Sequence, residues 1–219
     1  MKLDTKKTLL LIIDVQNDFC PGGALAVNDG DGVLAPLNSL SYAVVRKEGR
    51  VAATQDWHPS GHISFASSHN GKKPGGVIDT PLVKDQALWP NHCVQGTDGA
   101  DFHAGLDLMP VSMIIRKGFN KDLDSYSAFF ENDRKTSTGL EGWIKSLGME
   151  TVILGGLATD YCVFFSAMDS KNLGFNTIVV SDAVKGVGIP EGSVENAVSK
   201  MKDAGIKFFS SNELLDIII

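Results

Sequence analysis

Residues 151–163 read Thr-Val-Ile-Leu-Gly-Gly-Leu-Ala-Thr-Asp-Tyr-Cys-Val, and the order of residue types in this stretch decides the fold. Residues 151–154 form a short β-branched apolar run, the mark of a strand buried on both faces. Residues 164–173 have helical composition and stop at Gly174. Thr159 is the expected N-cap, with Asp160 in the first turn, so Cys162 starts a helix just after a buried strand. First-turn N–H groups lack intrahelical partners, and the helix dipole favours negative charge there. A thiol so placed is expected to ionise more easily, and the thiolate is the nucleophile. The same N–H groups can hold an oxyanion. The competing reading is a buried structural thiol, the ordinary state of a free cysteine.

Working outward, strand and helix patterns keep alternating. Residues 8–13 are apolar and end at Asp14. Residues 32–47 read as helix, with Pro36 tolerable near the start. Residues 50–54 and 112–116 read as strands. Residues 140–147 form an amphipathic helix closed by Gly148. Residues 177–180 are strand, 190–204 helix with Gly205 beyond its end, 206–209 strand and 212–218 a short helix. Six short apolar strands separated by helices predict an α/β fold: three αβα layers around a mostly parallel six-stranded sheet. Right-handed crossovers then gather the strand C-termini along one edge, where such folds bind ligands. Asp14, Asp56, Lys117 and residues 155–162 should meet there.

The 219 residues suit a single domain over 1–219. A hydrophobic content of 43% and a charged content of 21% are ordinary for a globular chain. Net charge is −6 and no basic run stands out, which argues against nucleic acid as a partner. The aliphatic run at residues 9–13 is far too short to span a bilayer, and the N-terminal segment has no secretory signal pattern. Cys20, Cys93 and Cys162 are widely spaced and contain no CxxC pair. That pattern predicts no disulfide framework and a reducing, cytoplasmic compartment. The expected partner is a small-molecule substrate, with homo-oligomerisation left open.

Residues 55–102 show little periodicity and are rich in Gly, Pro, His, Ser and Trp. Four of the five histidines (His58, His62, His69, His92) fall inside this stretch, and a loop so long in a compact domain is usually functional or disordered. Asp56 and His58 lie two apart and face one side in extended backbone. They can begin an oxygen and nitrogen metal site, with His92 returning from the far end of the loop; a hydrogen-bonded Asp–His pair explains the spacing nearly as well. Asp14 can serve as a general base or simply cap a loop. Lys117 can stabilise an anion or be a solvated lysine. Asp14, Lys117 and Cys162 on one predicted edge are much less readily explained by accident.

The pieces Ile-Asp-Val-Gln-Asn-Asp-Phe (13–19), Thr-Gln-Asp-Trp-His-Pro (54–59), His-Ile-Ser-Phe-Ala (62–66), Leu-Trp-Pro-Asn-His-Cys-Val-Gln-Gly-Thr (88–97), Arg-Lys-Gly (116–118) and residues 155–163 run in order across most of the chain. Together they resemble the nicotinamidase branch of the isochorismatase-like cysteine hydrolases. The resemblance implies an isochorismatase-like fold. It implies hydrolysis of nicotinamide to nicotinate and ammonia through a cysteine thioester, in NAD salvage, with pyrazinamidase activity as a companion. Cys162 would be the nucleophile, Asp14 the base and Lys117 the electrostatic partner. The N–H groups of Ala158 and Cys162 would hold the oxyanion, beside a cis Leu157–Ala158 peptide. Asp56, His58 and His92 would bind one divalent metal, with zinc expected and iron or manganese as alternatives. Waters and a side chain near Ser60 or His62 would complete its shell, although His62 does not match the spacing of the further histidine ligand in some relatives. Phe19, Trp89, Tyr126, Leu157, Ala158 and Tyr161 would line the substrate pocket. The alternatives are a carbamoyl or ureido amidohydrolase, which would not need the metal set, and a catalytically silent binding domain, which would have lost a triad position.

Overall fold

The structure, a computed structural model, describes residues 3–218. In chain order its elements are β1 (Thr8–Ile13), α1 (Leu34–Arg46), β2 (Arg50–Asp56), β3 (Val77–Ile78), β4 (Gln86–Ala87), β5 (Met113–Lys117), α2 (Leu140–Ser146), β6 (Thr151–Leu157), α3 (Phe164–Asn172), β7 (Asn176–Lys185), α4 (Ser193–Asp203), β8 (Lys207–Phe209) and α5 (Ser211–Ile217). Six strands form one sheet in the order β5-β2-β1-β6-β7-β8, and every neighbouring pair is parallel. The α/β fold with a parallel six-stranded sheet is therefore as the sequence predicts.

The three layers follow from strand periodicity. Leu10 and Ile12 of β1 point into a core shared with Leu37, Leu40 and Val44 of α1 and Leu214 of α5. Leu9, Leu11 and Ile13 point the other way, into a core with Leu140 and Ile144 of α2, Ala167 of α3 and Met201 of α4. The whole of β1 is buried, as expected for a central parallel strand covered on both faces. The chain runs from β1 outward to β2 and β5, then returns to place β6 on the other side of β1. This reversal is a topological switch point, and it opens a crevice at the strand C-termini.

Several element boundaries differ from the sequence reading. Asp56 and Lys117 are the last residues of β2 and β5, where the sequence pattern ends these strands at residues 54 and 116. β6 continues through two glycines to Leu157, with an irregular register to β7 between Leu154 and Gly156. Gly156 has φ +124°, and a Cβ there would lie 2.1 Å from the Ile13 carbonyl oxygen, so only glycine lets β6 lie this close to β1. β7 runs on to Lys185 because the segment past 180 still pairs with Gly156 and Leu157. The helix expected from residue 190 starts at Ser193, after Gly192 at φ +79°. The long loop contains a small antiparallel hairpin, β3 with β4, too short to leave a periodic signal. It is tied to the sheet by Gln16, whose side-chain amide donates to the carbonyls of Asp56 and Ala100 at 2.8 Å each. No helix among the described residues is long and apolar enough to cross a membrane.

Candidate active site

The C-terminal ends of β1, β2, β5 and β6 deliver Asp14, Asp56, Lys117 and the turn carrying Cys162 to one place. Lys117 is fully buried. Its ammonium donates to Asp56 Oδ1 at 2.5 Å, to the Ser125 carbonyl at 3.0 Å and to Cys162 Sγ at 3.4 Å. These contacts use all three N–H bonds. Asp14 Oδ2 lies 2.9 Å from the same nitrogen yet accepts no aligned hydrogen bond. Asp14 Oδ1 accepts from Thr54 Oγ1 at 2.6 Å. Thus one oxygen of Asp14 is fixed while the other keeps a lone pair free, and the carboxylate lies within 4.8 Å of the Cys162 sulfur.

The electrostatics correct one expectation. Cys162 does not ionise more easily: burial pushes its thiol well above the usual range, and the Lys117 charge only partly opposes this. Burial likewise raises Asp14 against the pull of Lys117. The carboxylates beside it more than offset burial at Lys117, which stays charged. The site therefore holds a neutral thiol beside a carboxylate with raised proton affinity, an arrangement for passing one proton between them. Thr159 is not the N-cap. Ala158 precedes a single wide, π-helical turn over Thr159–Val163 with no side-chain cap, so Cys162 sits late in that turn. Asp160 does stand in the first turn of that element, but its carboxylate binds the segment after β7. The Leu157–Ala158 peptide is cis.

The second group is Asp56, His58 and His92, whose potential ligand atoms lie within 4.8 Å of one another. His58 Nδ1 donates to the Gly118 carbonyl at 2.9 Å and His92 Nδ1 to the Pro90 carbonyl at 2.8 Å. Both Nε2 atoms are thereby left as acceptors, the tautomer a metal needs. Burial lowers His92 to about 4, which keeps it neutral. Burial alone would also lower His58, but the Asp56 carboxylate reverses this. Asp56 spans the two groups: Oδ1 takes Lys117, and Oδ2 lies 3.6 Å from His58 Nε2. Two buried carboxylates, Asp14 and Asp56, face one buried ammonium, so one negative charge is left over. That surplus, beside two imidazoles whose Nδ1 atoms are engaged elsewhere, fits a divalent cation, which would take the place of the proton that Asp56 favours on His58. His62 stacks on His58 with ring centroids 4.2 Å apart. Both its nitrogens are engaged, one with Ser64 and one with the Leu123 carbonyl, so it supports the ring of His58. Ser60 is exposed.

Both groups open on a pocket lined by Phe19, Trp89, Tyr126, Tyr161, Ala158 and Cys162, with Asp56, His58 and His92. Trp89 and Tyr161 meet edge-on at 4.8 Å, Tyr126 and Tyr161 at 5.5 Å, and Trp89 Nε1 donates to the Tyr126 hydroxyl at 3.1 Å. Leu157 is the exception among the expected lining residues. Its side chain is buried in the core with α1, because strand alternation turns it away from the pocket. Leu25, Asp124 and Val187 also line the pocket and were missed, since each arrives from an irregular segment with no periodic signal. Thr54, which orients Asp14, was legible only as a strand residue.

A family model for the isochorismatase domain matches residues 8–213. The chain belongs to the isochorismatase family. Within it, the chain is similar to a nicotinamidase of Acinetobacter baylyi, at 46% identity over 94% of both chains. Among solved structures it resembles an Acinetobacter baumanii nicotinamidase and pyrazinamidase, with a TM-score of 0.91 and 44% identity, covering 95% of this chain and 98% of that one. It also resembles a pyrazinamidase of Pyrococcus horikoshii in complex with zinc, with a TM-score of 0.76 and 33% identity, covering 93% and 99%. In this family member Asp56, His58, His92 and Cys162 line one pocket, and Asp14 and Lys117 lie fully buried behind it, joined to Asp56 and Cys162 through the Lys117 ammonium.

Proposed function

We infer that the chain hydrolyses the amide of nicotinamide, giving nicotinate and ammonia. The observation that carries this reading is the buried Lys117 ammonium, which touches Asp14, Asp56 and Cys162, the last two of which line an aromatic pocket. The similarity to nicotinamidases over nearly the whole chain supports the same reaction.

The steps follow from the charges. Asp14 Oδ2 takes the thiol proton as Cys162 Sγ attacks the carboxamide carbon, so no free thiolate accumulates in the dry site. Lys117 stabilises the sulfur anion as it forms and keeps Asp14 aimed at it. The N–H groups of Ala158 and Cys162 receive the oxyanion. Asp14 then gives its proton to the leaving nitrogen, and ammonia departs. The thioester on Cys162 is hydrolysed by water, with Asp14 acting again as base, and nicotinate is released. Phe19, Trp89, Tyr126 and Tyr161 hold the ring and exclude bulk water.

Asp56, His58 and His92 are the residues we assign to one divalent ion. Zinc suits two imidazoles and one carboxylate, and one solved relative is described in complex with zinc. When bound, the ion supplies a Lewis-acidic point that orients a ring nitrogen. The same requirement admits pyrazinamide, whose ring also carries nitrogen. We read the chain as one cytoplasmic domain serving NAD salvage; its three free thiols fit a reducing compartment.

The test is ammonia release from nicotinamide, with nicotinate identified as the co-product and a parallel sample treated with chelator. Turnover that falls on chelation is expected. Turnover of a ureido or carbamoyl compound, with nicotinamide left intact, would replace this reading with the alternative one.

A further inference from the structure

We propose that Asp160 is a positioning residue that fixes the outer wall of the pocket, and that Val187, held by it, sets the tolerance for ring substituents. The proposal rests on the nicotinamide reading above. Asp160 is buried, at 8% exposure, and lies two residues before Cys162. Its carboxylate points away from the nucleophile to the segment joining β7 to α4. Oδ1 accepts from the Val187 N–H at 2.9 Å; Oδ2 accepts from the Gly188 N–H at 2.9 Å and from Ser193 Oγ at 2.6 Å. One carboxylate thus accepts from both ends of the segment.

The neighbouring side chain adds a fourth tie. The Tyr161 hydroxyl donates to the Ile189 carbonyl at 2.7 Å, while its ring meets Trp89 and Tyr126 in the pocket. The segment has little apolar burial of its own, and Ile189 is 59% exposed. Yet Val187 lines the pocket, as do Leu25 and the histidines. Gly186 permits the close approach: a Cβ there would lie 2.2 Å from Val194 Cγ2 and 3.2 Å from Asp160 Oδ1. The turn that presents Cys162 therefore also anchors the wall that closes over the ring. Asp160→Asn sets an amide donor against N–H or hydroxyl donors and releases the wall. Asp14, Lys117 and Cys162 make no contact with this carboxylate, so the chemical step is untouched.

The test measures kcat and KM separately, for nicotinamide and for each ring-methylated nicotinamide, in the wild type, Asp160→Asn, Ser193→Ala and Val187→Ala. Asp160→Asn is expected to raise the KM for nicotinamide about tenfold or more, the scale for an unmatched buried polar group, with kcat near the wild-type value. Val187→Ala is expected to improve relative kcat/KM about tenfold for the isomer whose methyl group meets residue 187. A fall in kcat with KM unchanged overturns the assignment of Asp160, because the turn itself would then be what it holds. Absence of any gain across the methyl series in Val187→Ala overturns the assignment of Val187. If Asp160→Asn fails to fold, Ser193→Ala decides: a smaller KM rise of the same kind supports the anchor, and an unchanged KM overturns it. A wild type inert toward nicotinamide overturns the underlying reading instead, and is seen before any variant is compared.

Discussion

Gly118→Ala is a one-carbon change next to the proposed metal ligand, and its effect can be worked from the coordinates. Gly118 has φ +62°, and a Cβ there would lie 2.5 Å from His58 Cε1 and 2.8 Å from Nδ1. Ordinary carbon contacts are about 3.5–4.0 Å, so the imidazole would have to retreat by roughly 1 Å. It has no room: His58 is 1% exposed, stacked on His62 and edge-on to Phe65 at 5.6 Å. The Nδ1–H bond to the Gly118 carbonyl, which sets the tautomer, is the contact that gives way. Left-handed backbone costs a residue with Cβ about 1–2 kcal/mol, and an unmatched buried ring nitrogen about 1–3 kcal/mol. Stability should therefore fall by about 2–5 kcal/mol. Loosening a partner behind a ligand costs about 10–100-fold in metal affinity. Thermal melting, with zinc titration of stripped protein against a chromophoric chelator, measures both quantities. A variant that melts and binds zinc like the wild type would refute the claim that Gly118 seats a metal-binding His58.

Asp14→Asn should lower kcat by about 10²-fold or more. In the wild type kcat/KM should fall as pH drops through the burial-raised pKa of Asp14, because the protonated acid cannot take the thiol proton; an acid limb at the ordinary aspartate value would contradict this. Glu131 is buried, its Oε2 has no partner among the described residues, and burial pushes its carboxyl to about 7. The folded chain then holds a proton that the unfolded chain releases, so stability declines from about pH 4.5 to about pH 7. Glu131→Gln should gain roughly 1–3 kcal/mol at pH 8 relative to its effect at pH 4, read by chemical denaturation at both pH values; equal effects would show that burial does not shift this group. Benzamide, which keeps the carboxamide but lacks the ring nitrogen, should be a much poorer substrate than nicotinamide, and the gap should shrink in metal-stripped protein. A stripped enzyme with undiminished preference would make the ion structural.

The sheet was legible because each of its six strands is a local apolar run, and because the residues with chemistry stand at the ends of those runs. Asp14, Asp56, Lys117 and Cys162 share an edge by topology alone, so their convergence follows once the parallel sheet is recognised. What escaped the sequence depends on contacts between distant segments. Asp160 reads as a first-turn acid until the chain after β7 folds back onto it. Leu157 reads as a pocket residue by its neighbours, but strand alternation buries it. The thiol of Cys162 reads as activated by a helix start, whereas its pKa is set by burial and by Lys117 from another strand. The β3–β4 hairpin is held by pairing of two residues on each side, too few to show a period.

The central claim is that Cys162 carries the acyl group. Wild-type protein mixed with nicotinamide, quenched in acid within the first turnovers and digested, should yield the peptide containing Cys162 with a nicotinoyl mass increment. Cys162→Ala, folded and loaded with metal, should yield none and release no ammonia. An unmodified Cys162 peptide during active turnover, or ammonia release by Cys162→Ala at the wild-type rate, would contradict the account.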